Sequence, residues 1–249
     1  MGMLELMRSG GAKREVIPVD VVPFNYRGIC EAAEQLKQNR EEIGGDYFYT
    51  VKVPSGEGSS FTVVPPGDGK KESVDTFSGV VVYSQKYRAR YKDGAPLGSS
   101  PVCYAPLGTF GKAVESEEEM DCSECPFARI GTDSKGIGAA CKDRIELRIM
   151  HEGLCAPIVF RLPRQSAEVW RGYANRLRIE HGLQPYQVIT EFSLTEAVSS
   201  QGIKYSKISL RTVGRLDPEN EKVSREFAGT FRPYLLLEAS RSEETTNND

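Results

Sequence analysis

The sequence predicts a mostly β protein of the α+β class, a small barrel with a few helices, a cysteine-rich insertion and a C-terminal helix. Three observations predict it. Apolar residues recur with period two in about six separate runs, the mark of strands that bury one face. One strong helical stripe, over 166–181, falls between the later runs. The segment from Cys103 to Cys141 is polar and glycine-rich, too poor in apolar residues to form a core of its own.

The elements follow in order. Residues 1–20 read as an arm. A helix is expected over 28–39, with Ile29, Ala32, Ala33 and Leu36 on one stripe, ended by Gly44-Gly45. Tyr47, Tyr49, Val51 and Val53 then alternate with Phe48, Thr50 and Lys52, which makes a strand. Pro54 and a Ser/Gly-rich turn lead to a short return strand, Phe61–Val64, and Pro65-Pro66-Gly67 opens another loop. A second long strand is expected over 77–92. Its first part carries Val80 and Val82 toward a core. In its second part Tyr87, Ala89 and Tyr91 share one face, and Lys86, Arg88, Arg90 and Lys92 share the other. Four cations at alternate positions cannot be buried together, so that face is solvated or meets an anion.

After the cysteine segment, Ile145, Leu147 and Ile149 alternate with charges, as do Ile158, Phe160 and Leu162, and the two runs read as a hairpin. In the 166–181 helix Ser166 is the expected N-cap and Gly182 the C′ residue. Val188, Thr190, Phe192 and Leu194 predict one further strand, and Tyr205, Lys207, Ser209 and Arg211 set against Ile208 and Leu210 predict another. Asp217-Pro218 opens a C-terminal helix through Val223, Phe227 and Phe231, which Pro233 interrupts. The last residues, 241–249, hold no apolar side chain and read as a disordered tail. The organisation expected is an N-terminal arm and helix (1–45), a β core of the partly open OB-like barrel type (46–215) with the insertion at about 100–144, and a C-terminal helix and tail (216–249).

The insertion carries the sharpest chemical signal. Cys103 is followed after eighteen residues by Cys122-Ser-Glu-Cys125-Pro126, and after fifteen more by Cys141. Two thiolates spaced C-x-x-C on a tight turn supply one edge of a tetrahedral zinc site, and Cys103 and Cys141 can supply the other. A closed structural Zn2+ is the expectation. A disulfide pair would need an oxidising compartment, and an iron–sulfur cluster, which also takes four thiolates, has other usual spacings. Cysteines merely scattered along a loop are the bland alternative. Cys30 and Cys155 fall outside the pattern and read as small buried residues.

Bulk composition narrows the partners. The chain has 249 residues, 39% hydrophobic and 27% charged, with 32 basic and 35 acidic side chains and a net charge of −3. No overall positive field advertises a nucleic acid, so that case rests on local distribution. No run of eighteen apolar residues exists, so no membrane partner is expected, and without a signal-peptide core at the start the expected compartment is the cytoplasm. Enzyme patterns fail. There is no P-loop, no G-x-S-x-G and no H-E-x-x-H, and the only histidines are His151 and His181. Single-stranded nucleic acid, by contrast, is held by cations along its phosphates and rings against its bases. Lys86, Tyr87, Arg88, Arg90, Tyr91 and Lys92 offer both, and Tyr205, Lys207 and Arg211 offer a smaller copy.

The run Pro101-Val-Cys103, Cys122-Ser-Glu-Cys125-Pro126-Phe-Ala-Arg-Ile-Gly131 and Gly136-Ile-Gly138-Ala-Ala-Cys141-Lys142-Asp-Arg144 resembles a pattern in phage- and plasmid-encoded proteins. Leu162-Pro163, the Trp170-x-x-Tyr173 helix and Val188-Ile-Thr190 look similar too; the likeness covers roughly 75–215. It implies a single-stranded DNA-binding protein of phage replication and recombination, with an OB-like core and an inserted zinc knuckle, acting in the host bacterial cytoplasm. The acidic tail would then recruit replication or recombination proteins, and an oligomer is compatible. The rival class is a zinc-stabilised module that binds a host or phage replication, transcription or defence protein. Its motive is the net charge of −3 and the acids clustered over 115–124, which repel a phosphate backbone.

Overall fold

The fold is organised on one fifteen-residue strand, β4 (Thr76–Arg90), in a computed structural model that describes residues 20–24, 48–54, 58–67, 70–95, 101–113, 118–154, 156–198, 202 and 204–241. Along one edge β4 pairs antiparallel with β8 (Cys141–Met150), from Val80↔Met150 to Arg90↔Cys141. Its other edge is shared. β10 (Val188–Val198) takes the first residues of β4, and β5 (Cys103–Pro106) takes Tyr87 to Arg90. β9 (Ile158–Leu162) follows β8 as the expected hairpin partner. It accepts β1 (Thr50–Lys52) in parallel, and then come β2 (Phe61–Val64) and β3 (Glu72–Val74). On the far side β5 leads to β6 (Phe110–Ala113) and β7 (Glu119–Asp121), while β11 (Lys204–Arg215) pairs with β10. The path runs from β3 to β7 without returning on itself. The result is an open mixed sheet with helices, an α+β arrangement, and not a closed barrel.

A register shift between Val81 and Tyr83 decides how β4 uses its apolar run. Up to Val82 the strand alternates in the ordinary way. Val81 joins the core under α1 (Arg164–His181), whereas Val80 and Val82 join a second cluster with Met150, Ile189 and Phe227 of α2 (Pro218–Arg241). The bulge then lets Tyr83 pack on the same cluster as its neighbour Val82. From there on the odd-numbered side chains, not the even-numbered ones, lie on the α2 side. One helix therefore covers each face of β4. The α1 side holds four phenylalanines, Phe61, Phe77, Phe160 and Phe192, in edge and stacked contact.

Gly182 ends α1 with φ 65°, as its position predicts. Its N-cap is Pro163 and not Ser166. Ser166 lies inside the helix, fully buried, where its hydroxyl accepts the Ile208 N–H at 3.4 Å. Trp170, Tyr173, Ala174 and Leu177 turn inward. The Tyr173 hydroxyl sits between the Thr190 and Thr212 hydroxyls, at 2.9 and 2.8 Å. Tyr173→Phe is expected to lower unfolding stability by about 1–2 kcal/mol in a denaturant titration, since two buried hydroxyls lose their common partner.

α2 begins as expected, with Asp217 Oδ1 accepting the N–H groups of Glu219 and Asn220 at 3.0 and 2.9 Å. It does not stop at Pro233 but runs on to Arg241. A single proline removes one backbone donor, and the rest of the ladder carries the helix past it. The helix expected over 28–39, Cys30, Cys155 and the tail from 242 lie outside the described residues. No described helix is long and apolar enough to cross a membrane.

Candidate metal centre and nucleic-acid face

The far end of β4 brings the cysteines together. Arg90 pairs with Cys103 of β5 on one side and with Cys141 of β8 on the other, so the three side chains stand in one row on one face. The next strand, β6, presents Gly111 beside that row. A methyl group placed on Gly111 would lie 3.1 Å from Cys103 Sγ and 3.6 Å from Cys122 Sγ. Both sulfurs therefore close over the same backbone, and glycine leaves them the room. Cys122 is held there through its backbone: its N–H donates to the Thr109 carbonyl at 2.8 Å, and its carbonyl accepts from Arg88 Nη1 at 3.0 Å. Cys125 precedes a three-residue 3-10 turn that Pro126 opens. The cysteine segment is thus no separate knuckle domain. It extends the main sheet by three short strands and folds its loop back over the end of β4.

The donor set fits an ion that takes thiolates. Burial, then the neighbouring Cys103, Cys122 and Cys125 thiols, push the Cys141 thiol up to about 12. Burial likewise raises Cys122, with Arg88 opposing and Cys125 adding to it. Raised thiols of this kind, at Cys122 and Cys141, are what a bound divalent cation would reverse. Among the described residues no group of three or more His, Cys, Asp or Glu side chains is already drawn into a position to hold a metal.

The nucleic-acid residues expected on β4 fare differently from one another. Tyr87 is only 2% exposed and cannot stack on a base. It faces Tyr104 with ring centroids 5.6 Å apart, on the same face of β4 as Tyr83 and Gln85. Tyr91 is half-buried, with the Arg144 guanidinium 5.2 Å above its ring. Of the cations, Arg88 donates from Nε to Asp143 Oδ1 at 2.6 Å, and Lys86 Nζ lies 3.5 Å from the same oxygen. Burial pushes the Asp143 carboxyl up, but the hydrogen bond and charge of Arg88 more than offset this and hold it low. Arg90 lies 3.9 Å over the Phe127 ring. So Arg88 and Arg90 fasten the cysteine loop to the sheet, and Lys86 and Lys92 remain exposed.

The smaller set on β11 keeps its geometry. Ser206, Ile208, Leu210 and Thr212 are buried toward α1, whereas Tyr205, Lys207 and Arg211 lie on the outward face opposite Ala197, Thr195 and Glu191. Arg211 is exposed and reaches both Glu191 carboxylate oxygens. A ring and two cations there share one open face. Sequence reasoning missed Asp143, which no periodicity marks as the partner of Arg88 from 55 residues away. It also missed Glu146, Arg148 and Arg161, an ion cluster on the α2 side of the sheet. The alternation of charge with Ile145, Leu147 and Phe160 was a visible signal for them. No protein-family model, curated protein or solved structure matches the chain.

Proposed function

We propose that the protein is a non-enzymatic single-stranded DNA-binding protein of low sequence preference, of the phage replication and recombination type, with a structural zinc held by Cys103, Cys122, Cys125 and Cys141. The supporting observation is the outward face of β11, where Tyr205, Lys207 and Arg211 lie together on an open sheet with no described helix over them. Lys86 and Lys92, on β4 and just beyond it, are exposed cations as well, Lys86 on the opposite face of the sheet. The sheet lacks barrel closure, so this reading rests on that face and not on an OB fold. When bound, zinc would tie the loop after β7 to β5 and β8, supplying folding free energy to a segment with little core.

Fluorescence anisotropy against oligo-dT with increasing salt tests the reading. With Arg88 and Arg90 occupied inside the protein, about four cations remain, so log K should fall with log salt at a slope on the order of −3. Lys207→Glu should weaken binding across all sequences, and metal analysis should find one zinc for each chain. Salt-insensitive or absent binding rejects the DNA reading, and a metal-free purified protein rejects the zinc. A second reading, a zinc-stabilised protein-interaction module, is favoured by apolar side chains displayed on the cysteine segment, chiefly Ile130, Phe110 and Ile137. A partner retained after nuclease treatment, and lost on Ile130→Asp but not on Lys207→Glu, supports that one.

A further inference from the structure

The face of the sheet opposite the cysteines holds two buried donors, on Tyr87 and Arg144, without acceptors. Tyr87 of β4 pairs with Arg144 of β8, and two positions back Gln85 pairs with Glu146, which in turn pairs with Arg161 of β9. Directly paired residues share a face, so these side chains emerge together, with Tyr104 of β5 beside Tyr87. The Tyr87 hydroxyl is buried and has no hydrogen-bond partner, and neither has Arg144 Nε. Arg144 stands directly across from Tyr87, and Arg161 lies across from Glu146, two positions further along the same face. The one carboxylate acting on the Tyr87 hydroxyl, Glu146, is already taken by Arg148 and Arg161 at 2.8 Å each. Arg161 is 54% exposed in its side chain, so the group is open at that end.

A buried hydroxyl and guanidinium N–H left unbonded in a native protein call for an acceptor. Here the surrounding arginines outnumber the carboxylate, so a neutral acceptor would leave the excess charge unanswered. An oxyanion meets both needs, because it accepts several N–H and O–H bonds and carries the opposite charge. We propose that Tyr87, Arg144 and Arg161 form an oxyanion site that takes a phosphate of the nucleic-acid backbone. This rests on the DNA-binding reading for its ligand, but the site itself does not. It also changes the part of Tyr87, from a ring that stacks to a hydroxyl that donates.

Tyr87→Phe separates a binding role from a structural one. In the free protein the lost hydroxyl has no partner, so the melting temperature should stay the same or rise. Affinity for oligo-dT should fall at least about tenfold, as for a hydrogen bond to a charged group, and so should the thermal stabilisation given by inorganic phosphate. Arg144→Gln should show the same loss, with a salt slope shallower by about 0.7. If Tyr87→Phe lowers the melting temperature of the free protein, the hydroxyl has a structural role and the site is wrong. If wild type and Tyr87→Phe bind oligo-dT equally while Lys207→Glu does not bind, the site is wrong and the DNA reading stands. If oligo-dT does not bind but phosphate raises the melting temperature of wild type and not of Tyr87→Phe, the site stands with another phosphate ligand. With no response to either probe, the site is overturned.

Discussion

Phe160→Ala should lower the unfolding free energy by about 3–5 kcal/mol, measured by chemical denaturation of the full chain. Phe160 has no exposed surface and sits between three other rings, with centroids 5.7 Å from Phe61 and 5.8 Å from both Phe77 and Phe192. Those rings come from β2, β4 and β10, so one side chain of β9 couples strands on both sides of the sheet. The cavity cannot be filled by a small shift, because Phe77 and Phe192 are already stacked at 4.7 Å and held by their own strand pairing. Typical domain stability is about 5–15 kcal/mol, so the loss is a large share of the total. Phe160→Leu, which keeps most of the volume, should cost clearly less. Equal costs would mean the aromatic cluster does not tie the strands together.

Glu146→Gln should be comparably damaging, by about 3–5 kcal/mol. Glu146 Oε1 meets Arg148 Nη2 and its Oε2 meets Arg161 Nε, both at 2.8 Å, and the Arg148 side chain is only 4% exposed. Removing the carboxylate charge leaves two guanidiniums without their shared counter-charge, one of them inside the protein. The pH dependence has a definite sign. Burial pushes the Glu146 carboxyl up, but Arg148 and Arg161 outweigh it and hold the folded pKa below its ordinary value. The stabilisation is therefore fully present above the unfolded pKa of about 4.3 and is lost as pH falls through the lower, folded value. Denaturation curves from neutral pH down into the acid range should show the wild type losing its advantage over Glu146→Gln. A constant gap over that range would show that the carboxylate is not what the arginines need.

Much of the fold was legible because period-two burial is a local property. The runs around Val51, Phe61, Val80, Leu147, Phe160, Phe192 and Ile208 all became strands, and the Trp170–Leu177 stripe became the helix it predicts. Asp217 capped its helix as its side chain dictates. Ser166 did not, because the chain turns into the helix two residues earlier and its hydroxyl is needed by β11.

The candidate site was legible only in part. The alternation of β4 correctly put tyrosines and cations on opposite faces, but alternation does not say which face is covered. Tyr87 is buried against Tyr104, and Asp143 and Phe127 occupy Arg88 and Arg90 on the other side.

By itself the sequence determined where strands and helices form and which residues share a face, since these depend on neighbours a few bonds away. The tertiary structure alone decided that the sheet stays open, that the cysteine segment extends it, and that Tyr87 is buried while Tyr205 is not. Those outcomes depend on which distant strands share an edge of β4 and which helix lies over each face, and no local pattern carries that information.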